Sequence, residues 1–137
     1  MVGIVIVSHG DMADGLLDAA HMIVGEQEGL ATVSLREMDA VEGLMERVAT
    51  AIQKVDAGDG VLVLVDLFGA SPFNASARLA MQGDSNMEVI SGVSLPMLVE
   101  LMVQREGESL EKLVQVALEA GTSGVRTLSQ TLNRTTS

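Results

Sequence analysis

Ile4-Val5-Ile6-Val7-Ser8-His9-Gly10-Asp11 begins with four β-branched residues in a row and then turns abruptly to a histidine. An unbroken aliphatic run has no polar face, so it reads as a strand covered on both sides, the kind that builds a parallel sheet. An imidazole at the end of such a strand is either an incidental polar terminus or a chemical group held in place by the sheet. Gly10 allows a turn tight enough to leave that ring accessible. Asp11 first suggests itself as a partner of the imidazole, but its place before a helical pattern reads better as a helix cap.

Val61 to Val65 repeats the continuous aliphatic pattern, and Thr32 to Leu35 and Met87 to Ile90 are weaker strand candidates. Between them the period changes. Val41, Leu44, Met45, Val48, Ile52 and Val55 share one face of a helix whose other face carries Glu42, Glu46, Arg47 and Lys54. Leu16, Ala20, Ile23 and Val24 mark an earlier helix by the same rule, and His21 falls off that stripe as a solvent-facing residue. Further helices are expected from about Pro72 to Met81, Leu95 to Arg105 and Leu110 to Ala120, with Ser71, Ser94 and Ser109 as their N-caps. Strands alternating with helices imply right-handed crossovers and helices on both faces of a parallel sheet. The expected fold is therefore α/β, in a flavodoxin-like doubly wound layout. Ligands of such sheets gather at the carboxyl ends of the strands where the strand order reverses, so the residues just after Val7 and Val65 are the ones to inspect.

The 137 residues suit one domain of common size. No apolar run approaches the roughly 20 residues of a membrane-spanning helix. The N-terminus lacks the basic start and cleavage site of a signal peptide, and a cytoplasmic location is expected. Without cysteine there are no disulfides, thiolate nucleophiles or cysteine-bearing metal sites. The net charge of −11, from 19 acids and 8 bases, sets the surface against nucleic acids and anionic membranes and favours a basic protein partner. Phe68 and Phe73 are the only aromatics, which leaves no platform for stacked bases and no Tyr or Trp to stack on a flavin. Two histidines in unlike settings, without clustered carboxylates, make no metal ligand set. No cofactor is expected.

After the second aliphatic run comes Asp66-Leu67-Phe68-Gly69-Ala70-Ser71-Pro72-Phe73-Asn74. If the two strands are neighbours, His9 and Asp66 face one another across the same sheet edge. A carboxylate on one ring nitrogen fixes the tautomer and leaves the other nitrogen unprotonated and nucleophilic. Gly69 and the small Ala70 let backbone approach an anion, Ser71 offers a hydroxyl, and Pro72 suits the first turn of a helix. Free N–H groups at that helix start, at the positive end of its dipole, suit a phosphoryl group. Each piece alone is ordinary structure. Together, where this layout puts its ligand, they make a candidate site.

These segments carry a resemblance. "IVIVSHG" (residues 4–10), "MIVGEQE" (22–28), "GVLVLVDLFGASPFNASARL" (60–79) and "EVISGVSLPMLVEL" (88–101) are similar, in register from about residue 2 to about 128, to the IIA component of the mannose-type (mannose/fructose/sorbose) sugar phosphotransferase system. The resemblance implies a cytoplasmic phosphocarrier in which His9 accepts a phosphoryl group from the phosphohistidine of HPr. It then passes that group to a histidine of the IIB component, which serves the membrane IIC and IID components. It implies phosphorylation at Nε2, with Asp66 holding Nδ1, Ser71 beside the phosphate, Gly10, Gly69 and Ala70 around it, and Phe68 at the partner contact. It also implies a homodimer. The sheet would have five strands, four parallel and one antiparallel edge strand near Val125 to Leu128 exchanged between subunits. The domain would run over residues 1–128, with 129–137 as a polar, frayed tail.

Two departures stand out. The family commonly has Gly-Gly-Ser-Pro where this chain has Gly69-Ala70-Ser71-Pro72, so ordinary φ is expected at Ala70. Some relatives carry a fused IIB domain, whereas this chain stops after its tail, and IIB is expected on a separate polypeptide. Two rival functions remain: the phosphocarrier subunit of a phosphotransferase-dependent dihydroxyacetone kinase, and a regulatory binding module without turnover.

Overall fold

The opening aliphatic run becomes β1 (Gly3–His9), an inner strand of a parallel sheet in the order β2 (Leu30–Leu35), β1, β3 (Val61–Val65), β4 (Met87–Ile90). The structure, a computed structural model, describes residues 1–83 and 86–136. Ser137, the last residue of the expected tail, lies outside the described residues. The chain steps from β1 to one side for β2 and crosses back to lay β3 on the other side. Strand order therefore reverses between β1 and β3, where an open α/β sheet keeps its ligand crevice. Gly3 pairs with Val61 and Val7 with Val65, which brings His9 and Asp66 to one sheet edge.

Alternation along the strands explains the layers. Ile4, Ile6, Leu62 and Leu64 point to one face and pack with α1 (Met12–Val24), α4 (Leu95–Gln104) and α5 (Leu110–Ser123). Val5, Val7, Val63 and Val65 point to the other and pack with α2 (Val41–Val55) and α3 (Ser71–Met81). All eight are fully buried. Each side chain of this size contributes about 1.5–3 kcal/mol when taken out of water, so both faces of the inner strands hold the site's scaffold rigid. The contact is close enough to exclude a side chain at Gly3, where a Cβ would lie 2.4 Å from the Val55 carbonyl oxygen. Arg105, 1% exposed, closes the far end of the sheet. Its guanidinium donates to the carbonyls of Val2 (3.3 Å), Gly29 (3.0 Å) and Glu28, and burial pushes its pKa down.

Several helix details differ from expectation. The Ser94 and Ser109 hydroxyls accept the N–H groups of Met97 and Lys112, as N-caps do. Ser71 does not cap: Ala70 occupies the cap position in extended conformation, and Ser71 is the first helical residue. In α1, Ala13, Leu16, Leu17, Ala20 and Val24 pack on the core, and of the expected stripe only Ile23 is left out, 61% exposed. His21 follows Leu17 by one helical turn, so it is half-buried and not solvent-facing, and its Nε2 is shielded without a hydrogen-bond partner among the described residues.

The sheet has four strands among the described residues, not five. Val125 to Thr127 join no strand, and Leu128 opens α6 (Leu128–Thr136). An edge strand needs another edge to pair with. Within one chain, the Thr127 hydroxyl instead accepts the Gln130 N–H at 3.1 Å and starts a helix through the residues expected to fray. No helix among the described residues is long and apolar enough to cross a membrane.

Candidate functional site

His9 ends β1 and Asp66 follows β3, and the two meet twice through a single oxygen. Asp66 Oδ2 accepts the His9 backbone N–H at 2.8 Å and lies 2.8 Å from the His9 Nδ1. Burial pushes the Asp66 carboxyl up, but the two hydrogen bonds from His9 and its Coulombic attraction outweigh that effect, and the pKa lies below the ordinary carboxylate value. An ionised carboxylate can only accept, so Nδ1 carries a proton, and in the neutral ring this tautomer leaves the lone pair on Nε2. Asp66 is largely enclosed, with 11% of its side chain exposed against 51% for His9. Its other oxygen, Oδ1, is buried without a hydrogen-bond partner among the described residues. The result is an oriented imidazole with one edge pinned and the other open.

The turn after His9 follows from local chemistry. Gly10 has φ of +56°, a conformation that costs glycine little, and its N–H extends the pairing with β2 by donating to the Leu35 carbonyl at 2.9 Å. The expected Asp11 cap is not formed. The buried Ser8 hydroxyl accepts the Ala13 N–H at 2.8 Å and does that work, while the Asp11 carboxylate pairs with Arg36. Arg36 was not legible in the sequence as a site residue. Its only signal was its place directly after the strand that flanks β1. A groove of about 660 Å³ lies against the ring, lined by His9, Gly10, Arg36, Met38, Asp39 and Val41 among others.

The loop after β3 supplies the second half. Gly69 has φ of +83°, whereas Ala70 sits at φ −83°, as expected for the residue that replaces glycine. The Asn74 side-chain amide donates to the Gly69 carbonyl at 3.1 Å and fastens the loop to α3. The Ser71 and Phe73 N–H groups at the start of α3 have no acceptor among the described residues, and neither does the Ser71 hydroxyl. Phe68 is 73% exposed and tilts against Phe73, with ring centroids 4.4 Å apart; its neighbour Leu67 is also exposed. Thus an imidazole held at Nδ1 and a helix start with N–H groups lacking acceptors among the described residues share the edge where strand order reverses, an arrangement that could serve nucleophilic attack and anion binding. Among the described residues no three His, Asp or Glu side chains converge as a metal site.

Residues 3–118 match the family described as PTS system fructose IIA component. The mannose-specific EIIAB component of the phosphotransferase system of Escherichia coli K12 is 41% identical over 128 residues, which is 93% of this chain and 39% of that relative. The chain thus spans about two fifths of that relative's length. The fructose-specific EIIA component of Bacillus subtilis 168 is 33% identical over 114 residues, 83% of this chain and 77% of the relative. The crystal structure of phosphotransferase system component EIIA from Streptococcus agalactiae superimposes with a TM-score of 0.87 at 29% identity, covering 95% of this chain and 99% of that one. In sequence and in fold, the chain belongs to the mannose-type EIIA family of the sugar phosphotransferase system.

Proposed function

We propose that the protein is a cytoplasmic phosphocarrier of a sugar phosphotransferase system, its family domain spanning residues 1–128. His9 takes a phosphoryl group from phospho-HPr and passes it to the IIB component, which serves the membrane IIC and IID components. The observation that carries this reading is the His9–Asp66 pair, with Nδ1 held at 2.8 Å and the rest of a half-exposed ring turned outward. In the transfer, the Nε2 lone pair attacks phosphorus as the P–N bond of the donor breaks in line. The electron pair of that bond returns to the donor's ring nitrogen. His9 keeps its Nδ1 proton, so its ring gains positive charge, and the Asp66 carboxylate offsets it. The Ser71 hydroxyl and the free N–H groups of Ser71 and Phe73 stabilise the phosphoryl oxygens. Gly10, Gly69 and Ala70 keep that space clear of bulk. The donor is already a labile phosphoramidate, so positioning and hydrogen bonds suffice for the step. Transfer to IIB runs the same step in reverse.

Phe68, with Leu67, gives the partner proteins an apolar contact beside the histidine. The homodimer belongs to the same reading: Val125, Leu128 and Leu132 are 85%, 75% and 55% exposed, apolar surface that a second subunit would cover. The sugar-specific names of the relatives favour this role over the kinase-coupled one. Incubation with phosphoenolpyruvate, enzyme I and HPr is expected to place an acid-labile phosphate on His9, absent in His9→Ala. Label that persists in His9→Ala overturns the proposal.

A further inference from the structure

We infer that Arg36 is an exchangeable phosphate clamp: its guanidinium rests on Asp11 while His9 is free and moves to the phosphoryl group once His9 carries it. This rests on the phosphocarrier reading. His9 pairs in register with Leu35, so Arg36 stands one residue beyond the histidine on the neighbouring strand, and both line the same groove. Among the described residues Arg36 is the only Lys or Arg lining that groove, whose acids are Glu37 and Asp39. Asp11, two residues past His9, adds a third negative charge nearby. Arg47 offsets the charge of Asp39, and a dianionic phosphoryl group arriving there meets the remaining repulsion, which Arg36 is placed to offset.

The clamp is free to move. Its backbone is anchored, because the Arg36 N–H donates to Asp39 Oδ2 at 2.8 Å and Arg47 holds the same oxygen at 3.3 Å. Its side chain is half exposed and its partner Asp11 is 82% exposed, so the resting ion pair is weak and readily exchanged. A phosphoryl group offers more charge than Asp11 and a geometry that fits the guanidinium fork. Asp11 therefore keeps the cation close and neutralised at rest, and competes with the phosphoryl group for it afterwards.

The test is the phosphorylated fraction of the intact protein at a fixed ratio of phospho-HPr to HPr, read as acid-labile phosphate. At equilibrium, effects on docking rate cancel and only the relative stability of the two forms remains. Arg36→Ala is expected to lower the equilibrium constant by about fivefold, near the upper end for an exposed charge contact. Arg36→Lys should restore part of that loss. Asp11→Asn should raise the constant by about twofold, by removing the competitor. Unlabelled wild type overturns the phosphocarrier reading and this inference with it. Labelled wild type with an unchanged equilibrium in Arg36→Ala overturns the inference alone, as does a lowered equilibrium in Asp11→Asn.

Discussion

Replacing Asp66 with asparagine removes one charge and changes almost no volume, which isolates what the carboxylate does for His9. Its Oδ2 accepts two N–H bonds at 2.8 Å, one from the backbone and one from the ring. Hydrogen bonds to charged groups are worth about 1.5–3 kcal/mol and neutral ones about 0.5–1.5, so each bond loses about 1 kcal/mol. The side chain is mostly enclosed, but His9 is half exposed and solvent screens part of the effect. The backbone bond is the same before and during transfer and bears on stability alone, so the ring bond, which strengthens as the imidazole gains charge, leaves about 1 kcal/mol, or roughly fivefold, in rate. The amide group then worsens the loss in either orientation. With its oxygen toward His9, the NH2 takes the buried position of Oδ1, which has no partner. With its NH2 toward His9, the backbone N–H loses its acceptor and the ring proton is driven to Nε2, the attacking atom. We predict at least a tenfold fall in the initial rate of phosphorylation by phospho-HPr. A variant with the wild-type rate would refute the role given to Asp66. Stability should move with it. Because the folded pKa of Asp66 is depressed, its contribution is complete well above the ordinary value of 3.8 and is lost as pH falls through the lower folded-state value. In urea denaturation, Asp66→Asn should be less stable than wild type at neutral pH, and the gap should close in acid. A gap that persists or widens in acid contradicts that sign.

The remaining predictions concern the frame around the site. Gly3→Ala pushes a Cβ to 2.4 Å from the Val55 carbonyl oxygen and should cost about 3 kcal/mol in urea denaturation. Gly10→Ala meets nothing within 4 Å and should cost only about 1 kcal/mol, the penalty of positive φ; equal costs would remove the packing argument for Gly3. Arg105→Met strips three backbone carbonyls of a buried donor and should lower stability by about 2–4 kcal/mol, whereas an unchanged midpoint would mean those carbonyls find other partners. For the proposed homodimer, sedimentation equilibrium should give twice the 14.3 kDa chain mass, shifted toward the monomer by Leu128→Asp; a monomer throughout contradicts it.

What could be read in advance depended on how local the cause was. β1 and β3 are legible because short unbroken aliphatic runs rich in Val and Ile have few other uses, and α2 because its apolar stripe is regular from Val41 to Val55. The His9–Asp66 meeting needed only the guess that β1 and β3 are neighbours, which the crossover rules favour. Errors arose where two local signals overlap. In α1 both Leu16 and Leu17 pack on the core, so the buried face is centred nearer Leu17 than a stripe through Leu16 and Ile23 suggests, which puts Ile23 out and His21 partly in. Ser71 precedes a proline and looks like a cap, yet the extended backbone at Ala70 starts the helix one residue earlier. The Arg36–Asp11 pair joins residues 25 apart in sequence and exists only because β2 lies beside β1, so no local pattern announces it. The fifth strand came from resemblance alone: β2 and β4 are the edges of the sheet, and Val125 to Thr127 pair with neither.

The position of the phosphoryl group on the imidazole tests the central claim most directly. With Nδ1 committed to Asp66, only Nε2 is free to attack. Histidine-selective ¹⁵N labelling, with NMR of the protein phosphorylated through HPr, reads which nitrogen carries phosphorus. One phosphoryl group is expected on Nε2 of His9 and none on His21. Phosphorus on Nδ1 of His9, or on any other residue, would contradict it.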